Sequence, residues 1–155
     1  MMNYCIGFSN SFSVGCLPFS PSGADHFADV RKLFVLDLWA LALSAALLLV
    51  LRIAFRKVHL RLAGHTPGFW GAVGLGASLS VIAALAAADF DKAFTVFHKL
   101  FFPGKENWLF DGRTDPVIYM LPTAFFRNCG ILIFAVILLS CIGLLLWDMR
   151  IRHKK

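Results

Sequence analysis

Two histidines, His26 and His98, lie in sequence contexts that could support general acid–base chemistry. Asp29 follows His26 by three residues, so on a helix its carboxylate would share a face with the imidazole and could orient it or hold its charged form. His98 lies in a segment, residues 89–102, whose phenylalanines recur at helical spacing, and it falls at the border between that apolar face and the polar one. A neutral imidazole partly removed from water has a lowered pKa and can accept a proton at neutral pH. These residues predict an acid and base pair built from two distant segments.

The elements that must position this pair are membrane helices. Hydrophobic residues make up 59% of the chain and charged residues 15%, far from the roughly 45–50% and about 25% of soluble domains. Three apolar segments, about 33–52, 68–88 and 129–147, approach the ~20 residues that cross a bilayer. The first has a shorter uncharged centre, which leaves a tilted or partly interfacial helix as its alternative. We predict a single all-α membrane domain over residues 1–155: a three-helix transmembrane bundle with an interfacial amphipathic helix and loop at 89–128.

The distribution of basic residues predicts the orientation of the helices. Arg52, Arg56, Lys57 and Arg61 follow the first apolar segment without any acid, and the C-terminal tail is also basic, whereas acids balance bases elsewhere. By the positive-inside rule, segments 53–67 and 148–155 are cytoplasmic, and segments 1–32 and 89–128 are extracytoplasmic, in a cell membrane. The positive net charge is thus a topology signal, and no nucleic-acid partner is predicted. The remaining histidines, at positions 59, 65 and 153, are expected to be ordinary polar residues among these cytoplasmic bases.

The middle apolar segment contains small residues in unbroken steps of four. Such a ridge allows the backbone of another helix to approach closely, so it predicts a central position in the bundle and possible self-association. The ridge consists of Gly68, Ala72, Gly76, Ser80, Ala84 and Ala88.

The loop after residue 102 contains further candidates for binding a substrate. Trp108 and Tyr119 are suited to anchoring at a membrane surface. Asp115 is explained equally well by turn formation before Pro116, and Arg127 lies next to the last apolar segment.

A metal site could be drawn from His26, His98, Asp29 and Asp115, but neither an H-E-x-x-H motif nor a paired-cysteine spacing is present. We therefore expect no metal and no cofactor. Cysteines 5 and 16 are both predicted outside and could pair, so their chemistry stays open.

Two segments of the chain resemble a family of bacterial integral membrane proteins that includes the lipoprotein intramolecular transacylases. They are SGADHFADV at residues 22–30 and the pattern that runs from DFD at 89–91 through FH, FFPG, TDP and LP to FF at 125–126. Members typically have four helices and an outward-facing site, and the helix that usually precedes the Asn3-Tyr4 segment is expected to be missing here. Characterised members move an acyl chain from the diacylglyceryl group of a lipoprotein to the α-amino group of its N-terminal cysteine.

The resemblance implies a membrane acyltransferase whose substrate is a bacterial lipoprotein within the lipid bilayer. For that reaction we expect His98 to be the base and His26, supported by Asp29, to be the acid or oxyanion donor, without an acyl-enzyme. Two alternatives stay open: a non-enzymatic docking or envelope-assembly protein, and an enzyme acting on free phospholipid.

Overall fold

The computed structural model describes residues 1–58 and 60–153 of the chain, and helices dominate this part. No strand is formed among those residues, so the all-α fold class is confirmed. The helices are α1 (Met2–Cys5), α2 (Pro21–Ala54), α3 (Pro67–Ala88), α4 (Phe90–Phe101) and α5 (Thr123–His153), with a short 3-10 helix at Pro116–Tyr119 before α5. Three of them, α2, α3 and α5, are long and apolar enough to cross a membrane.

Helix α2 begins twelve residues before its apolar segment, at Pro21, and continues without a break to Ala54. The start is fixed locally, because the Ser20 side chain accepts a hydrogen bond from the Gly23 backbone N–H at 2.9 Å and proline occupies the first turn. Hydropathy identified only the most apolar part of the helix, residues 33–52, which we take as its membrane-spanning segment. Both His26 and Asp29 lie on the first three turns, before that segment.

The chain divides into two compact units, one of residues 1–56 and 97–122 and the other of residues 57–96 and 123–155. The first unit has a small core of Cys5, Phe27 and Val117, on which the N-terminal segment and the loop before α5 pack. Phe12 stacks on Phe27 with ring centroids 4.9 Å apart, which ties the N-terminal segment to the first turns of α2. All four cysteines are free.

In the second unit, α3 and α5 pack against each other along stripes that repeat every three or four residues. On α3 the less exposed positions include Ala72, Gly76, Leu79, Ala83 and Ala86. Gly76 faces Cys141 so closely that an added Cβ would lie 3.9 Å from its Sγ. Steps of four drift by about 40° on a helix, so the predicted ridge leaves the contact after Gly76, and Ser80 is exposed.

One end of this unit is closed by a polar cluster around Asp148, whose side chain is fully buried. Asp148 accepts hydrogen bonds from the Thr66 backbone N–H and from His65 Nδ1, each at 2.8 Å. Arg152 Nη1 lies 2.8 Å from His65 Nε2. Because arginine only donates, this geometry places the His65 proton on Nδ1 and gives that histidine a structural role that its sequence context did not indicate.

Candidate active site

His26 and His98 meet in the first unit, although seventy-two residues separate them in the chain. Their ring centroids are 5.9 Å apart with an interplanar angle of 30°, and the two residues are only 6% and 8% exposed. Two rings this close could act on the same bound group, each through its own nitrogens. The fold thus brings the two histidines into contact, and their catalytic roles stay a prediction.

Aromatic side chains enclose the histidine pair and hold it in place. Phe102 and Phe110 contact the His26 ring edge to face, with centroids 4.9 and 5.5 Å away. Trp108 stacks on His98 at 4.6 Å, and its indole N–H is fixed by the Lys105 carbonyl at 3.2 Å. Such rings exclude water and leave few polar groups to compensate a charge, so they favour neutral imidazoles.

The loop that follows α4 delivers these rings because the chain reverses sharply after the helix. Helix α4 ends at Phe101, one residue before the end predicted from sequence, and Phe102 is already buried beside the pair. Gly104 has a φ of 73°, a left-handed conformation that glycine adopts without strain. This turn lets residues 105–110 pass back over His98 and His26.

The carboxylate of Asp29, near the histidine pair, binds several polar side chains. Lys105 and Lys32 both form ion pairs with its carboxylate, the second at 3.0 Å, and the Asn107 side-chain amide donates to it at 3.4 Å. Burial alone would raise the pKa of Asp29, but these hydrogen bonds outweigh it and lower the pKa to about 2. Asp29 thus stays ionised and holds the 105–107 turn against α2, a role that spacing on the helix did not indicate.

His26 is neutral at physiological pH. Burial and the neighbouring His98 lower the pKa of its imidazole to about 4, against the smaller opposing effects of Asp29 and Asn107. Asn107 lies beside the ring, yet both His26 Nδ1 and Asn107 Oδ1 are buried without a hydrogen-bond partner among the described residues. A buried polar atom without a partner costs about 1–3 kcal/mol, so two adjacent ones are an unusual arrangement.

An open groove of about 490 Å³ lies beside this cluster. Its walls are one face of α2 and the turn after α4, and they carry charges of both signs. The lining residues are Asp25, Ala28, Asp29, Lys32, Lys105, Glu106 and Asn107. A polar group of a substrate could enter here and reach the residues that contact the histidines.

The residues predicted to bind substrate have different surroundings. Asp115 is 3% exposed and accepts hydrogen bonds from the Ser20 backbone N–H and the Thr114 hydroxyl, both at 2.8 Å, so it ties the start of α2 to the loop before α5. Tyr119 is 74% exposed and packs over Gly112. Trp108 belongs to the histidine enclosure, whereas Arg127 is exposed near the start of α5, in the other unit.

Sequence reasoning missed four residues of this site: Lys105, Asn107, Phe102 and Phe110. Only the unusual length and aromatic content of the loop could have drawn attention to them, since no motif links positions 105 and 107 to Asp29. Within residues 1–58 and 60–153, no three His, Cys, Asp or Glu side chains come together in a group that could hold a metal ion.

Fold and site together define a class: an α-helical integral membrane protein with a buried histidine pair beside an open polar groove. Residues 1–126 match the family of the lipoprotein intramolecular transacylase Lit, and the chain belongs to that family. The fold is similar to that of the membrane integral lipoprotein intramolecular transacylase Lit from Bacillus cereus, solved in meso, with a TM-score of 0.81 and 25% sequence identity. That similarity covers 99% of this chain and 71% of the Bacillus cereus chain. No curated protein sequence is significantly similar to this one.

Proposed function

We propose that this chain is an intramolecular acyltransferase that moves an acyl chain from the diacylglyceryl group of a bacterial lipoprotein to the α-amino group of its N-terminal cysteine. The observation that carries the proposal is the buried His26–His98 pair, found in a chain of the Lit family. The orientation deduced from the basic segments would place the pair at the outer leaflet of the cell membrane, with the C-terminus in the cytoplasm.

The reaction requires a proton to move from nitrogen to oxygen. The amine nitrogen attacks the ester carbonyl carbon, and a C–N bond forms as the carbonyl oxygen becomes an oxyanion. One imidazole accepts a proton from the amine, the C–O bond to glycerol breaks, and the departing alkoxide takes a proton back. A ring N–H of the second imidazole can donate to the oxyanion. Since nucleophile and ester belong to one molecule, holding them together supplies much of the rate, and neither a cofactor nor an acyl-enzyme is needed.

Neutral histidines suit both roles. A protonated pair would repel one another and could not accept the amine proton, whereas the burial of these rings disfavours charge. The groove beside Asp29 supports the proposal further, because it offers a polar entrance to an otherwise aromatic enclosure.

The test is lipoprotein analysis in a bacterial host that lacks other N-acylating enzymes. Expression of the chain should yield lyso-form lipoprotein, detected by mass spectrometry of N-terminal peptides. His98→Ala should abolish this product, while His153→Gln, a change at the last residue of α5, should leave it intact. Unchanged product with His98→Ala would contradict the role given to the histidine pair, whereas no lyso-form product from the wild-type chain would favour a docking role. Acyl transfer to labelled free phospholipid, without lyso-form lipoprotein, would instead indicate a lipid substrate.

A further inference from the structure

The amide of Asn107 has an orientation that its neighbours determine. Its Nδ2 lies 3.4 Å from the Asp29 carboxylate, which can only accept hydrogen bonds when ionised, and the Lys105 and Lys32 ammonium groups keep it ionised. The opposite orientation would set the amide oxygen against this carboxylate. Nδ2 therefore belongs on the Asp29 side, and Oδ1 is the atom left over.

That oxygen is buried without a hydrogen-bond partner among the described residues, and so is Nδ1 of the His26 ring. The Asn107 amide lies within hydrogen-bonding reach of the His26 ring, and each of the two side chains has one buried polar atom without a partner. If His26 carried its proton on Nε2, its Nδ1 would be an unprotonated acceptor next to a second acceptor, Asn107 Oδ1. Both atoms would then be buried without a hydrogen bond, which is unfavourable. A proton on Nδ1 converts the same two atoms into donor and acceptor, and a small side-chain movement would close the hydrogen bond.

We propose that Asn107 is a positioning residue that holds His26 in the Nδ1–H tautomer and so leaves Nε2 as a bare proton acceptor. Its role in catalysis rests on the proposed function, and it makes His26 the base and His98 the donor to the oxyanion, the reverse of the roles expected from sequence. Asp29 acts on the histidine through the Asn107 amide. The chain of contacts runs from the two lysines through Asp29 and Asn107 to His26.

The arrangement also explains why Asp29 needs two cations. An ionised carboxylate that contacted the imidazole directly would favour the imidazolium and consume the acceptor that the reaction needs. A neutral amide between the two fixes the tautomer without bringing the negative charge to the ring. Lys105 and Lys32 offset the remaining field of the carboxylate.

Nitrogen-15 NMR of the histidine-labelled full chain in detergent micelles tests the tautomer directly. A ring nitrogen with a proton and one without have well-separated shifts, and couplings to the ring protons tell Nδ1 from Nε2. The His26 signals are assigned by their loss in His26→Gln. In the wild-type chain near neutral pH we expect the proton on Nδ1, whereas a proton on Nε2 would overturn the proposal.

Variants connect the tautomer to Asn107. Asn107→Leu should move the His26 proton from Nδ1 to Nε2 and lower the initial rate of lyso-form production by about tenfold or more. Asn107→Asp places a carboxylate against the ring and should favour the imidazolium, so that Nδ1 keeps its proton and Nε2 gains one. Asn10→Leu is the matched control, since Asn10 is exposed and bonds Arg31 away from the site; it should change neither the spectrum nor the rate.

Each result has a defined meaning. An Asn107→Leu spectrum that still shows Nδ1–H would exclude Asn107 as the positioning residue. If Asn107→Leu does not fold, the wild-type spectrum decides the tautomer, and the Asn107→Asp spectrum decides whether residue 107 acts on the ring. A wild-type chain with Nδ1–H but no lyso-form product would refute the proposed function and leave the tautomer standing.

Discussion

Replacing His26 by glutamine should reduce the stability loss that the folded chain suffers as the pH falls from near 7 to near 5. The folded-state pKa of His26 is about 4, below the ordinary value of 6.5. Between these values the unfolded chain binds a proton that the folded chain excludes, so the stabilising contribution is complete above 6.5 and is lost as the pH falls toward 4. The groups acting on His26 include His98, Asp29 and Lys105.

The magnitude follows from the two pKa values. Proton binding to the unfolded chain, with little binding to the folded one, lowers the free energy of unfolding by about 2 kcal/mol between pH 7 and pH 5. The lowered pKa of Asp115 does not interfere, because a carboxyl whose folded pKa lies below its ordinary value of 3.8 loses its contribution only at lower pH. His26→Gln has no ionisable group at this position and should lack this part of the slope.

The assay is equilibrium unfolding in mild detergent, followed by tryptophan fluorescence, near each of the two pH values. The quantity to compare is the change in unfolding free energy with pH, which is independent of any constant loss caused by the substitution itself. A matched substitution, His153→Gln, should retain the wild-type slope. Equal slopes for the wild-type chain and His26→Gln would show that His26 is not held neutral, and the reasoning about the base would then fail.

Two further changes test the packing that surrounds the site and the polar cluster around Asp148 in the second unit. Gly23→Ala should lower the free energy of unfolding by about 1–3 kcal/mol, because a Cβ would overlap the Asp115 carboxylate that binds the start of α2. The control is Gly71→Ala, whose Cβ meets open space and should not destabilise the chain. Equal losses in the two variants would refute the clash. Asp148→Leu should lower the free energy of unfolding by about 2–4 kcal/mol in the same assay, because it leaves the Thr66 and His65 N–H groups unpaired. A variant as stable as the wild-type chain would show that water satisfies these two groups.

The membrane helices could be predicted from the sequence because they depend on local patterns. Each of the two histidines was also singled out by its own local context. Apolar length identifies a span, and phenylalanine periodicity predicted the helix that ends beside His98. The start of α2 was less clear, since hydropathy records contact with lipid and not helicity, although Ser20 and Pro21 form a readable helix start.

The partners of Asp29 could not be predicted in the same way. Lys105 and Asn107 lie seventy-six and seventy-eight residues away and reach Asp29 only because the chain reverses at Gly104. A carboxylate three residues from a histidine on one helix suggested a direct contact. The lysines compete for that carboxylate more strongly than a neutral ring does, and only the folded loop brings them within reach.

The unbroken helix α2 sets a fixed distance between His26 and the membrane-spanning segment of the same helix. His26 precedes Leu33, the first residue of the membrane-spanning segment, by seven residues, which is about 10 Å along the helix axis at 1.5 Å per residue. Without a loop or kink to absorb a difference, only tilting of the helix can change the height of the imidazole above the hydrocarbon. Bilayer thickness would therefore affect the proposed reaction, and a single residue inserted after Asp29 would both raise the histidine and turn it about 100° relative to the membrane-spanning segment.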